Sequence, residues 1–254
     1  MSRLATYLEI LPTLPDWDAY LLANSGLPGP RGNLELAQAA AELGDETRFA
    51  PWRALGPVQA PANSRGEFLA FCGVLGLGQR LAAGDPAAAA ELRPFASDPR
   101  WRTREAVAMA LQRWGLVRLA ALLGELASWA GGNLFEQRAV IAGLCEPAVL
   151  RLAREAPAEQ EMIYDLIDSI TAAFVQTAGQ RSEGRLALQK ALGYGWSVAV
   201  ATLPEEGRPR LERWLPHPDL RPIMRENLSK SRLEKLDPTW VDFWRSKLKI
   251  EGRQ

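Results

Sequence analysis

Histidine is nearly absent from this chain: His217 is the single one in 254 residues. Histidine-rich zinc sites are thereby excluded, and a histidine-based triad could be built only on His217. Cysteine is scarce as well. Cys72 and Cys145 are far apart and out of ligand spacing, and each lies in an apolar run. Both read as buried free thiols, which fits a reducing compartment. No uninterrupted apolar run reaches the roughly 18 residues that a membrane span requires. The most apolar stretch, Ala191 to Leu203, is too short. The opening MSRLATYLEILPTLPDW lacks the charged-then-apolar pattern of a signal peptide. A cytoplasmic location is therefore expected, with no membrane, no metal and no cofactor. Strand signals are missing too, since no alternating β-branched run is found.

Lysine is confined to the last part of the chain, where all five lie. Residues 1–180 hold 15 arginines against 20 acidic residues, a net charge of −5. Residues 181–254 hold 15 lysines and arginines against 10 acidic residues, a net charge of +5. Such a segment suits an anionic partner, but it falls short of the dense basic stripe of a dedicated nucleic-acid binder.

Helical spacing recurs throughout. Asn33 is positioned to cap Leu34–Leu43, with Gly44 as its stop. Ser64 and Glu67 have capping-box spacing ahead of the apolar segment from Phe68 to Leu81. Asp85-Pro86 opens an alanine-rich helix ending near Phe95, and Asp98-Pro99 starts the next. Asn133 caps a helix that runs to Cys145, and Asp237-Pro238 begins the last one. In Met162 to Val175, a stripe of Ile163, Leu166, Ile167, Ile170 and Phe174 forms one apolar face, with Asp165 and Asp168 off it. Ala191 to Leu203 carries no charge and is expected to be buried on more than one side.

Internal repetition carries the most information. Ala106–Leu111 (AVAMAL) echoes Ala139–Leu144 (AVIAGL) at an offset of 33 residues. Leu92–Arg102 lines up with Leu211–Arg221: a helix end, a proline-containing turn, then a helix opening on an apolar residue and an arginine. A single helix pair cannot bury its apolar face alone, so pairs stack. The run FASDPRWRTREAVAMAL, with Asp98 in the turn and Arg102 or Arg104 behind it, resembles a HEAT repeat. SGLPGPRGNLELAQAAAE, EFLAFCGVLGLG and YGWSVAVATLPEEG are similar to segments of a group of bacterial HEAT-repeat proteins of unassigned function. This resemblance covers roughly residues 30–245. It implies an all-α, HEAT-like α-solenoid of stacked antiparallel helix pairs. We read one domain over residues 1–254, with an irregular Pro/Gly-rich part at 1–66 and regular repeats at 67–245.

Several residues are site candidates. Arg100, Trp101, Arg102 and Arg104 form the densest basic-aromatic cluster. One reading is arginine contacts to phosphate with Trp101 free to stack. The other packs Trp101 in the core and leaves the arginines in solvent or paired with Asp98 and Glu105. Arg221, Arg225, Lys230 and Arg232 are a second cationic set, and helical spacing places Arg221, Arg225 and Arg232 near one face. The loop Gly26–Asn33 contains two prolines and no Lys-Ser/Thr after Gly32, so it is not a phosphate-binding P-loop; it reads as a rigid connector, with an anion site at the following helix N-terminus beside Arg31 as the alternative. His217, between Pro216 and Pro218, fills a turn.

The C-terminal IMRENLSKSRLEKLDPTWVDFW resembles the last repeat of the HEAT-like DNA alkylation-repair glycosylases. Tyr164-Asp165-Leu166-Ile167-Asp168 resembles that family's aromatic-Asp-x-x-Asp run. The resemblance implies that Asp168 would stabilise positive charge on a departing sugar and that Tyr164 would flank the base. The order differs from the family's, because Trp101-Arg102 precedes this run instead of following it, and tyrosine stands where tryptophan leads. The function expected is therefore non-catalytic: a helical surface that engages a protein partner. Nucleic-acid binding or base excision is the alternative.

Overall fold

The computed structural model describes residues 2–249. The fold is all-α: 78% of it is helix, and no strand occurs among the described residues. The chain divides between Val117 and Arg118 into two compact units.

Unit 1 contains α1 (Arg3–Ile10), α2 (Trp17–Asn24), α3 (Leu34–Leu43), α4 (Glu46–Arg53), α5 (Arg65–Ala83), α6 (Ala87–Leu92) and the first part of α7 (Trp101–Ala130). The first 66 residues, read as irregular, carry four of these helices. Their starts are fixed by side-chain caps: Ser2, Asp16, Asn33 and Asp45 each accept an amide from the first turn. Asn33 and Gly44 bound α3 as the sequence predicts. Helix α5 is the centre of the unit, with α2, α3, α4 and α6 packed around it. Small residues permit this. A Cβ on Gly73 would lie 2.8 Å from the Phe49 carbonyl, and one on Gly78 would lie 2.6 Å from the Ala110 Cα. Ser64 caps α5 as expected. Glu67 does not return to the Ser64 amide; its carboxylate accepts the Asn63 amide at 2.6 Å instead.

Unit 2 contains the rest of α7, then α8 (Leu134–Leu144), α9 (Pro147–Leu150), α10 (Pro157–Gln176), α11 (Glu183–Thr202) and α12 (Pro204–Trp214). Helices α13 (Arg221–Leu228), α14 (Ser231–Leu236) and α15 (Pro238–Lys247) complete it. Asn133 and Glu136 form a reciprocal capping box on α8. All five residues of the α10 stripe are buried. Helix α11 is the hub, packed against α8, α10, α12 and α13. Its charge-free half, Ala191 onward, is buried nearly throughout. The polar groups there are satisfied. Trp196 Nε1 donates to Thr171 Oγ1 at 3.0 Å, and Asn227 accepts from the Ser197 amide at 2.8 Å while donating to the Leu192 and Ile223 carbonyls.

Helix α7 is interrupted at Arg118, where φ is −141° and ψ is 62°. The run contains a window apolar enough to cross a membrane by length and composition, and 56% of that window is buried inside the protein. Cys72 and Cys145 are buried and unpaired, and burial pushes the Cys145 thiol up to about 12.

Candidate functional site

The Gly/Pro loop and the RWR cluster lie 70 residues apart in sequence, yet they meet in unit 1. The loop that joins α2 to α3 is built on its own hydrogen bonds. The Asn33 amide donates to the Ser25 carbonyl at 2.9 Å, and Ser25 Oγ accepts the Leu27 amide at 3.1 Å. Gly26 sits at φ +73°, where a side chain is strained. Two contacts then anchor the loop from outside. The Gly29 amide donates to Asn63 Oδ1 at 3.0 Å, and Arg102 Nη2 donates to the Gly29 carbonyl at 2.7 Å.

The arginines of this cluster are inside the protein. Arg100 is 2% exposed, and Arg102 and Arg104 are each 7% exposed. Arg100 grips Asp98 through Nε and Nη2 at 2.9 and 2.7 Å, and its Nη1 reaches the Leu55 and Ala60 carbonyls. Arg104 Nη1 donates to the Asp98 carbonyl at 2.6 Å. Arg102 Nη1 meets the fully buried Glu67 at 3.2 Å. Trp101 is the reverse case. It is 49% exposed, whereas the other eight tryptophans are buried or half-buried. Trp101 is thus outside the core, contrary to the packed reading, and the arginines are not in solvent; of the expected pairings, that with Asp98 is made by Arg100. At the start of α7 the long arginines reach back to carbonyls and carboxylates of earlier segments, and the indole is left outside over the Arg102 guanidinium, 4.6 Å from its ring centroid.

Trp101 borders a cleft of 670 Å³. Its apolar lining comes from Leu27 and Leu34, from the stacked pair Phe68 and Phe71 on α5, and from Met109. Trp101, Glu105 and Met109 recur every four residues along α7, so one helix face supplies all three. Arg3, Arg31 and Glu35 are charged lining residues. The volume falls within the roughly 300–1,000 Å³ of ligand clefts. Arg102, which lines the cleft, has a buried Nε without a hydrogen-bond partner among the described residues, as do Glu67 Oε1 and Thr103 Oγ1. Such groups cost about 1–3 kcal/mol each and are concentrated where a fold serves something besides stability. The Phe68–Phe71 pair was not singled out from sequence because an apolar helix reads as core; the four-residue spacing of Trp101, Glu105 and Met109 was the available signal.

The second cationic set does not share one helix. Helix α13 ends at Leu228, so Arg221 and Arg225 lie on it while Arg232 belongs to α14. Lys230 pairs with Glu226 at 3.0 Å. Arg221, Arg225 and Arg232 are exposed.

Asp168 projects from α10 toward α12. Its Oδ2 accepts from Arg210 at 3.0 Å and Arg213 at 2.7 Å, and its Oδ1 accepts from Trp214 Nε1 at 2.6 Å. Arg210 also binds Asp165 and Glu206. Tyr164, which the glycosylase resemblance sets beside a base, is fully buried and donates to the Leu203 carbonyl at 2.8 Å. Burial pushes its phenol well above the usual range. It is therefore placed to pack, not to flank a ligand. We expect Asp168→Asn to lower stability by about 1–3 kcal/mol, because charge-assisted bonds are weakened. Base release from methylated duplex DNA should be at background before and after the change. Urea denaturation and a base-release assay read the two effects, and clear release abolished by the substitution would reverse this assignment.

Among the described residues no group of three or more His, Cys, Asp or Glu is placed to hold a metal ion. Comparison with protein-family models, with curated proteins and with solved structures finds no match for this chain.

Proposed function

We propose that this chain is a non-catalytic binding protein, a HEAT-like helical solenoid whose unit 1 cleft takes a segment of a partner protein. The observation that carries the reading is the half-exposed Trp101 over an apolar cleft. Tryptophan and arginine are the residues on which protein–protein binding energy concentrates, and they act where an apolar anchor enters a pocket ringed by polar groups. Leu34, 46% exposed, extends the apolar lining. The charged residues have both signs, Arg3 and Arg31 with Glu35 and Glu105, which suits a mixed peptide better than a polyanion. Arg100, Arg102 and Arg104 are engaged with the protein's own carbonyls and carboxylates, which argues against their use on nucleic acid. The buried free thiols favour a reducing, cytoplasmic setting.

The test is selection of a displayed random-peptide library on the full chain. Enriched peptides should share an aromatic or aliphatic anchor, and Trp101→Ala should weaken them by about tenfold or more. The melting temperature should hold, since the indole is half outside. No enrichment, or binding unaffected by Trp101→Ala, would overturn the reading. Submicromolar duplex-DNA binding that falls steeply between roughly 50 and 200 mM salt would favour the nucleic-acid alternative.

A further inference from the structure

Several acidic residues of unit 2 are matched to particular cations. Asp237 takes Arg208 at 2.9 Å, Glu226 takes Lys230 at 3.0 Å, and Asp165, Asp168 and Glu206 surround Arg210. Arg245 lies between Glu234 and Asp242 at 3.7 and 3.6 Å. Arg221, Lys247 and Lys249 have no acidic partner among the described residues, and all three line one cavity of 340 Å³ together with His217. Among the described residues, no acidic one lines that cavity.

Two of the cations, Arg221 and Lys247, are held there by neutral groups. Lys247 Nζ sits 4.6 Å from the Trp244 ring centroid and 5.6 Å from that of Phe243. One Arg221 donor is fixed on the Leu248 carbonyl at 3.0 Å, which leaves the rest of the guanidinium fork available. The Nδ1 of His217 has no hydrogen-bond partner among the described residues. Pro216 and Pro218 wall the cavity with backbone whose φ is fixed. Gathered cations repel one another, and an oxyanion among them removes that repulsion.

The concavity is small and partly open, with Pro216 and Pro218 in its wall. A single tetrahedral group fits it, whereas a nucleic-acid backbone needs an extended groove. We propose that His217, Arg221, Lys247 and Lys249 bind the phosphate group of a small molecule, at a site separate from the cleft in unit 1.

Calorimetric titration of the full chain with glycerol phosphate and with inorganic phosphate tests this. Saturable binding is expected with a Kd of about 1 mM or tighter. Tighter binding of the ester assigns the site to a phosphomonoester, and tighter binding of inorganic phosphate assigns it to the free ion. Arg221→Gln and Lys247→Gln should each weaken binding roughly tenfold. Arg225→Gln, also on α13 but outside the cavity, should change it less than about twofold. All three side chains are exposed, so melting temperatures should stay near that of the parent. The absence of saturable heat, or equal weakening by Arg225→Gln, would overturn the proposal. So would duplex DNA that binds more tightly than either phosphate and loses affinity in the Arg221 and Lys247 variants.

Discussion

Arg102→Met is expected to destabilise the protein by about 3–5 kcal/mol, read as a drop in the urea midpoint at unchanged slope. The side chain is 8% exposed and its carboxylate partner, Glu67, is fully buried. Methionine matches the arginine stem in bulk, so little packing is lost. What remains is a carboxylate without its cation, keeping only the Asn63 amide at 2.6 Å. The Gly29 carbonyl loses its donor at the same time. Combining the change with Glu67→Gln separates the contributions. The double variant should be more stable than Arg102→Met alone, because the orphaned charge is gone. A loss below about 1 kcal/mol for Arg102→Met would mean that the pair behaves like an exposed one.

Gly78→Val should cost about 3 kcal/mol or more, at the upper end of overpacking changes. A Cβ at this position falls 2.6 Å from the Ala110 Cα, 2.8 Å from its carbonyl oxygen and 3.0 Å from its Cβ. Backbone has no rotamer to yield, so α5 and α7 would have to move apart. The better helix propensity of valine recovers only a fraction of a kcal/mol. Gly124→Ala is the control of opposite sign. Nothing lies within 4 Å of a Cβ there, and the position is helical and exposed. It should gain about 0.5–1 kcal/mol. Thermal melts of the two variants should therefore shift in opposite directions, and a neutral Gly78→Val would contradict the close approach.

What was legible in the sequence was local. Asn33, Ser64, Asn133 and Asp237 accept first-turn amides as their spacing implies. The stripe on α10 faces inward because the period of apolar residues sets the buried face whatever the neighbour is. The short helices α1, α2 and α4 are masked in the sequence, where Pro12, Pro15 and Pro51 look like loop punctuation. Pro12 instead opens a 3₁₀ turn after α1, Pro15 precedes α2, and α4 continues through Pro51. The end of α13 at Leu228 has no glycine or proline to announce it, so Arg232 was placed one helix too early.

The site was half visible. Trp101 and its arginines stood out as a cluster, but which of them faces water depends on partners far away in the chain. Arg102 finds Gly29 and Glu67, 73 and 35 residues earlier, and nothing near position 102 encodes those contacts. The cavity at His217 joins the turn before α13 to the residues after α15, a proximity that only the closed chain creates.

The outward-facing indole of Trp101 also gives the molecule an optical marker of its own. Trp129 and Trp196 are sealed from water, while half of this ring is in contact with it. Emission from such a mixture divides into a blue, shielded part and a red part open to aqueous quenchers such as iodide. Trp101 contributes to the open part from the border of the cleft, so whatever occupies that space shields the ring and shifts the spectrum without any label being attached.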